Sequence, residues 1–413
     1  MFQSFSILLL FVALFSVFNY KVLKLPTAIG LMVTGILTAL VLTLSKYVSE
    51  DFYTFFCQLI IDARFEELLF DSLLSFLLFA GSLHVDYGLL KKQKKFVTSF
   101  ATVSVLISTI IIGTMLYYLV GMFGISVDFI YCLLFGALIS PTDPVAALAI
   151  LKKSGVSQSI KMKIEGESLF NDGVGVIVYS GILIWFRSLA SAHAEELGGE
   201  IFMLFLEEVG GGLLFGAALG FVGYYLIKLC SDNSELQVIL SIAIAAAGYS
   251  IAVLLHTSGP LAMVVAGLII GNRLHLNDSQ SEGTKFFNRF WEVIDETLNG
   301  ILFLMLGLTL HLLNFESIYV IIAVIVILVV LFARFLSVLL PYSILKDKSK
   351  KEKGILALLT WGGLRGGISL GLAMSLPENE AKDLFIAITF IVVAFSIIAQ
   401  GLTIGILAKK TQT

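Results

Sequence analysis

The sequence predicts an all-α membrane protein with thirteen transmembrane helices, and three observations predict it. Apolar residues make up 58% of the 413-residue chain and charged residues only 14%, where a soluble domain carries about a quarter charged residues. Runs of about 20 apolar residues, the length that crosses a hydrocarbon core, recur almost end to end, and the mean hydropathy is +0.97. The short loops between them carry Lys and Arg on alternate sides.

The predicted spans lie at 4–20, 26–45, 67–85, 97–121, 127–151, 160–186, 200–228, 235–255, 258–272, 288–311, 316–340, 354–376 and 383–408. The first opens "MFQSFSILLLFVALF", without the basic region and cleavage site of a secretory signal, so it reads as a span that stays. The stretch 51–61 is apolar but too short to cross and is placed at the membrane interface. No loop is long enough for a soluble domain, so residues 1–413 form a single integral membrane domain. Lys21, Lys24, the Lys91–Lys95 run, Lys152, Lys153, Lys161, Lys163, Lys228, Arg273, Lys285, Arg289, the Lys346–Lys353 run, Lys409 and Lys410 fall on one side. Lys46, Arg64, Arg187 and Lys382 fall on the other. By the positive-inside rule the N-terminus is outside and the C-terminus cytoplasmic.

The fifth span is interrupted. "LISPTDPVAAL" sets Pro141 and Pro144 within an apolar run, and each proline removes a backbone donor and collides with the preceding turn. The freed carbonyls need partners, and Asp143 brings a charge to the opening. The twelfth span, with "TWGGLRGGISLG" at 360–371, surrounds Arg365 with Gly362, Gly363, Gly366 and Gly367, each weakening a helix interior by about 1 kcal/mol. The two are seven spans apart and therefore antiparallel. Interrupted helices at matching positions suggest inverted repeats: 1–186 and 235–408, six helices each, joined by a linker helix at 200–228.

The sixth span contains "KIEGESLFNDGVGVIVYSGIL". Ser168 and Asp172, four apart, share one helix face, and Glu167 and Asn171 share the next. Gly173 and Gly175 permit another backbone to approach. Asp172 lies about ten residues into an apolar helix. A dehydrated carboxylate there can hold a proton or a metal cation, not both. Asp143, Glu167, Asp172, Arg334 and Arg365 all fall inside spans. A charge at mid-membrane costs about 2.5–3.5 kcal/mol on insertion scales and usually marks an ion pathway.

These stretches carry a family resemblance. "SPTDPVA" (140–146), "EGESLFNDGVG" (165–175), "GPLAMVVAGLIIGN" (259–272), "FWEVIDETLNGILFLMLGL" (290–308), "LFARFLSV" (331–338) and "WGGLRGGISLGLA" (361–373) resemble those of sodium/proton exchangers of the monovalent cation/proton antiporter superfamily, in the NhaP-type branch that includes the animal exchangers. The resemblance implies thirteen spans with crossed, interrupted fifth and twelfth helices, a homodimer and a location in the plasma or inner membrane. It also implies exchange of Na+, with Li+ possible, for H+. Asp172 would carry cation and proton in turn. Asp143, Ser168 and the Thr142 carbonyl would line the Na+ site, and Asn171 would brace it. Glu167 would pair with an intramembrane arginine, with Arg334 expected and Arg365 left open by spacing. Arg365 would sit where the broken helices cross. Asn171 beside Asp172 implies the electroneutral branch, one proton for one cation. The reading needs Na+, H+ and lipid as partners and no cofactor. A K+/H+ antiporter of the same fold is the alternative, followed by a cation channel.

The remaining residues point elsewhere. Cys57, Cys132 and Cys230 share no metal-ligand spacing, and no basic stripe suggests nucleic acid. "GESLF" does not fit a serine-nucleophile turn, and no HExxH pair occurs, so an enzyme is not expected. Glu207 and Glu208 read as helix packers, and Asp71 and Asp86 as borders of the third span. Glu292, Asp295 and Glu296 read either as a cation funnel or as ordinary helix N-terminal acids. His84, His193, His256, His275 and His311 are scattered.

Overall fold

A computed structural model describes residues 2–190, 197–278, 282–313, 316–345 and 354–412. Among them nearly every residue is in a helix, and the one β-type pairing is an isolated bridge between Asp143 and Leu364. His193 and the Lys346–Lys353 run lie outside the described residues, as do the side chains of Asp71 and His275.

Helix α1 (Phe2–Phe18) continues as a π-helical turn to Leu23 and is followed by α2 (Thr27–Ser45). Helix α3 (Glu50–Asp62) contains the stretch 51–61: Ser49 caps it by accepting from Phe52 N, and Glu50 and Asp51 fill its first turn. Helix α4 (Phe65–Leu68), a π-helical turn and α5 (Leu74–Leu83) make up one interrupted element. Then come α6 (Tyr87–Met122), α7 (Phe129–Ile139), α8 (Val145–Leu151), α9 (Gln158–Ala190), α10 (Leu197–Leu229), α11 (Ser234–Leu254), α12 (Gly259–Asp278), α13 (Glu282–Leu308) and α14 (Ser317–Leu345). Helices α15 (Ile355–Trp361) and α16 (Gly367–Met374) precede α17 (Lys382–Phe395), which passes through a π-helical turn, Ser396–Gln400, into α18 (Gly401–Gln412). Among the described residues, nine helices are long and apolar enough to cross a membrane.

Several helices outrun the apolar runs that predicted them. Helix α6 starts ten residues before 97, because Asp86 caps it by accepting from Leu89 N at 3.0 Å. Lys91, Lys92, Lys94 and Lys95 are therefore in a helix, not a loop. Lys163, counted as a loop charge, is buried in α9 with its ammonium 4.5 Å from the centroid of the Phe96 ring, an attraction between cation and ring face. Helix α13 begins at Glu282 rather than 288, and the exposed pairs Lys285–Glu282 and Arg289–Glu292 line its outer turns. This corrects the reading of Glu292, Asp295 and Glu296 as N-terminal acids: they lie two to four turns inside.

Two cores result. Helices α2, α6, α7 and α14 and the broken pairs α7–α8 and α15–α16 share one, and α5, α10, α11 and α12 form the other. Helix α9 contributes to both, Ile164 and Tyr179 to the first and Met162 and Leu169 to the second. This places the charged stretch of α9 at the seam.

Candidate functional site

Helix α7 ends at Ile139, and Ser140–Pro144 run without helical pairing until α8 begins. Pro141 and Pro144 force the gap, and the Pro141 ring fills the space that Gly175 of α9 leaves open. Asp143 turns its own side chain back, Oδ1 accepting from Val145 N at 2.9 Å, so the carboxylate caps α8. Helix α15 stops at Trp361, and the glycines on either side of Arg365 carry the chain to α16. The two breaks touch: Asp143 N donates to Leu364 O at 2.8 Å.

Arg365, 1% exposed, joins them. Its Nη1 donates to the Ser140 carbonyl and, at 3.0 Å, to the Pro141 carbonyl. These carbonyls, at and just past the C-terminal end of α7, lack helical donors, and a cation there meets the negative end of the helix dipole. Arg365 N donates to Ser396 Oγ at 2.9 Å, and Ser396 Oγ donates to Gln400 Oε1 at 2.6 Å. The π-helical turn between α17 and α18 thus anchors the second break. Ser396 and Gln400 were not singled out by sequence reading; their four-residue spacing was the available signal.

Helix α9 brings the remaining groups. Ser168 Oγ donates to the Thr142 carbonyl. Asn171 holds Thr142 twice, its Nδ2 donating to Thr142 Oγ1 at 2.8 Å and its Oδ1 accepting from Thr142 N at 3.3 Å. The carboxamide supplies donor and acceptor at once, which an ionised carboxylate cannot. Glu167 accepts from both terminal nitrogens of Arg334, Nη2 at 2.9 Å, and Arg334 Nη2 also reaches the Leu359 carbonyl at 3.0 Å. Glu167 is 1% and Arg334 4% exposed. The arginine left open by spacing is therefore Arg334, while Arg365 is engaged with carbonyls.

Asp143 and Asp172 are half-buried and both line a cavity of about 580 Å³. Among the described residues, neither has a basic partner. Ser168, Thr142 and the Asp143–Asp172 pair form the inner end, and Glu165, Asp295, Glu296 and Lys152 line its outer part. His84 is also in the lining; Glu207 and Glu208 are not. The funnel acids carry their own contacts: Asn299 Nδ2 donates to Asp295 Oδ1 at 3.0 Å, and Thr27 Oγ1 to Glu296 Oε1 at 3.2 Å. Asn299 was missed in the sequence, although it follows Asp295 by four residues. On the far side of Asp172, Tyr179 is buried with its hydroxyl 3.3 Å from Ser375 Oγ, and Tyr131 Oη donates to the Pro377 carbonyl at 2.9 Å. Neither tyrosine is in the cavity lining. Two unpaired carboxylates, a hydroxyl and a backbone carbonyl offer an oxygen-only surface, which suits a hard cation.

The family described as sodium/hydrogen exchanger, transmembrane, matches residues 7–410. The Na+/H+ antiporter NhaP of Pseudomonas aeruginosa is 41% identical over 397 residues, spanning 95% of this chain and 92% of the relative. The Na+/H+ antiporter NhaH of Halobacillus dabanensis is 36% identical, spanning 94% and 93%. Among solved structures, the sodium proton antiporter MjNhaP1 from Methanocaldococcus jannaschii at pH 8 superposes with a TM-score of 0.76, at 21% identity over 99% of this chain and 98% of that one. It shares the fold. A match over nearly the whole length, with relatives of this identity and coverage, establishes that this chain belongs to the sodium/hydrogen exchanger family.

Proposed function

We propose that this protein is an antiporter that exchanges Na+ for H+ across the membrane, with Asp172 as the group that holds cation and proton in turn. One observation carries the reading: two carboxylates without basic partners meet beside the Thr142–Ser168 contact, at the inner end of a cavity and against two interrupted helices. Asp143, Ser168 and Thr142 supply cation oxygens, and Asn171 fixes Thr142. Glu167 with Arg334, and Arg365 with the α7 carbonyls, hold the frame. No resident cofactor takes part.

The cycle is competition plus alternating access. Asp172 releases its proton into the cavity and takes a cation. The loaded site is re-gated to the other side, the cation leaves, and a proton replaces it. One shared carboxylate and a neutral Asn171 favour electroneutral, one-for-one exchange. The loop charges favour an outside N-terminus, so the open mouth beside Lys152 faces the cytoplasm. The helix order fits thirteen spans when α4–α5, α7–α8, α15–α16 and α17–α18 each count once, with α10 linking two inverted six-helix halves. The family resemblance supports a homodimer in the cell membrane.

Dissipation of a pH gradient in proteoliposomes, with each alkali cation in turn and the voltage clamped, tests this. Na+ should collapse the gradient at a rate independent of voltage. Sodium flux without proton movement would mark a channel instead. Competition also sets the pH response: in the acidic range where Asp172 holds a proton, the apparent Na+ KM should rise about tenfold for each unit the pH falls. A flat Na+ KM across the acidic limb would remove the shared site. Asp143→Asn should leave folding intact and raise the Na+ KM about tenfold, equivalent to about 1.4 kcal/mol. Flux titrations on purified protein measure it.

A further inference from the structure

At the helix crossing, each of the two arginines has a donor left over. Arg365 uses Nη1 for the Ser140 and Pro141 carbonyls, and its Nη2 finds no acceptor among the protein atoms. Arg334 uses Nη1 and Nη2 for Glu167 and Leu359, and its Nε is likewise without one. Thr360, half-buried in the last turn of α15, is the third: a helical threonine can donate to the carbonyl four residues back, yet Thr360 Oγ1 is out of reach of solvent and makes no hydrogen bond. All three side chains line one small space of about 10 Å³, with Gln400 beside them. Gly363 borders it too, and a side chain there would run into the Arg334 guanidinium.

Leaving a buried donor or acceptor unsatisfied costs about 1–3 kcal/mol, more for a charged group. Three together at one spot call for a shared partner. The space matches about one water molecule, for which roughly 10–15 Å³ suffices, and a water needs two to four polar partners. A halide is larger, and the Glu167 carboxylate already neutralises one of the two guanidinium charges.

We infer that this space is a built site for a single internal water, accepting from Arg334 Nε and Arg365 Nη2 and donating to Thr360 Oγ1. The water joins the Glu167–Arg334 pair to the arginine that holds the α7 break. The three charged groups are thereby one hydrogen-bonded unit rather than two neighbouring ones.

The sign of a stability change tests the inference, and it does not depend on the exchange reaction. If the Thr360 hydroxyl binds a water, T360V removes a satisfied partner and lowers the melting temperature of the purified protein, while T360S keeps it. If no water is bound, T360V deletes an unsatisfied buried hydroxyl and the melting temperature stays or rises, which overturns the proposal. A map of the wild-type protein that resolves ordered water should show one peak in reach of all three atoms, lost in T360V. A featureless site in that map, or an anomalous bromide peak there after exchange into bromide salt, would equally overturn it.

Discussion

Asp172→Asn is expected to abolish exchange while leaving a folded, extractable protein. The carboxamide is nearly the same size and sits in the same half-buried position at the inner end of the cavity, so packing is preserved. It cannot give up a proton to make room for a cation, however, and the competition that couples the two fluxes has no site. The expected result in proteoliposomes is a pH gradient that neither Na+ nor Li+ collapses above the rate of empty vesicles, with a melting temperature close to wild type. A variant that still exchanges, with a pH dependence, would refute the role given to this residue. Asp143→Asn provides the contrast, since it lowers affinity but keeps the proton-accepting carboxylate.

Glu167→Ala should produce the largest loss of stability. The glutamate and Arg334 are both buried and meet through two hydrogen bonds, and removing one member of such a pair costs about 3–5 kcal/mol because the other charge is stranded. Of its protein partners, Arg334 keeps only the Leu359 carbonyl in the variant. Thermal unfolding in detergent should show a markedly lower midpoint. Because the penalty comes from the stranded charge, Glu167→Met combined with Arg334→Met should recover most of it. If the double variant is no more stable than Glu167→Ala, the pair is contributing more than charge compensation.

Much of the architecture was legible because the bilayer admits few solutions for a polar backbone. The prolines at 141 and 144 can interrupt a helix and do little else, and the glycines around Arg365 weaken one in the same way. The four-residue spacing of Ser168 and Asp172 fixed their shared face without tertiary information. Helix ends were less legible. Hydropathy marks where lipid stops, not where hydrogen bonding stops, so the caps and exposed ion pairs that extend α6 and α13 lay beyond its reach. The partner of Glu167 was also undetermined by spacing, since it stands 167 residues away and comes close only because α9 and α14 both pack on α6. Asn299 and Gln400 escaped notice because single amides in apolar helices carry no periodic signal. Their meaning came from Asp295 and Ser396 beside them.

The cavity that reaches Asp172 has an electrical consequence. Where an aqueous path reaches deep into a membrane protein, little of the transmembrane voltage falls along it, and the field concentrates across the protein that separates the end of the path from the opposite side. An ion seated beside Asp172 is then already near the potential of the compartment the mouth faces. Its arrival involves only a small part of the roughly 2.3 kcal/mol that an elementary charge meets across 100 mV. The field instead acts on whatever motion relocates that insulating layer to the opposite side of the ion.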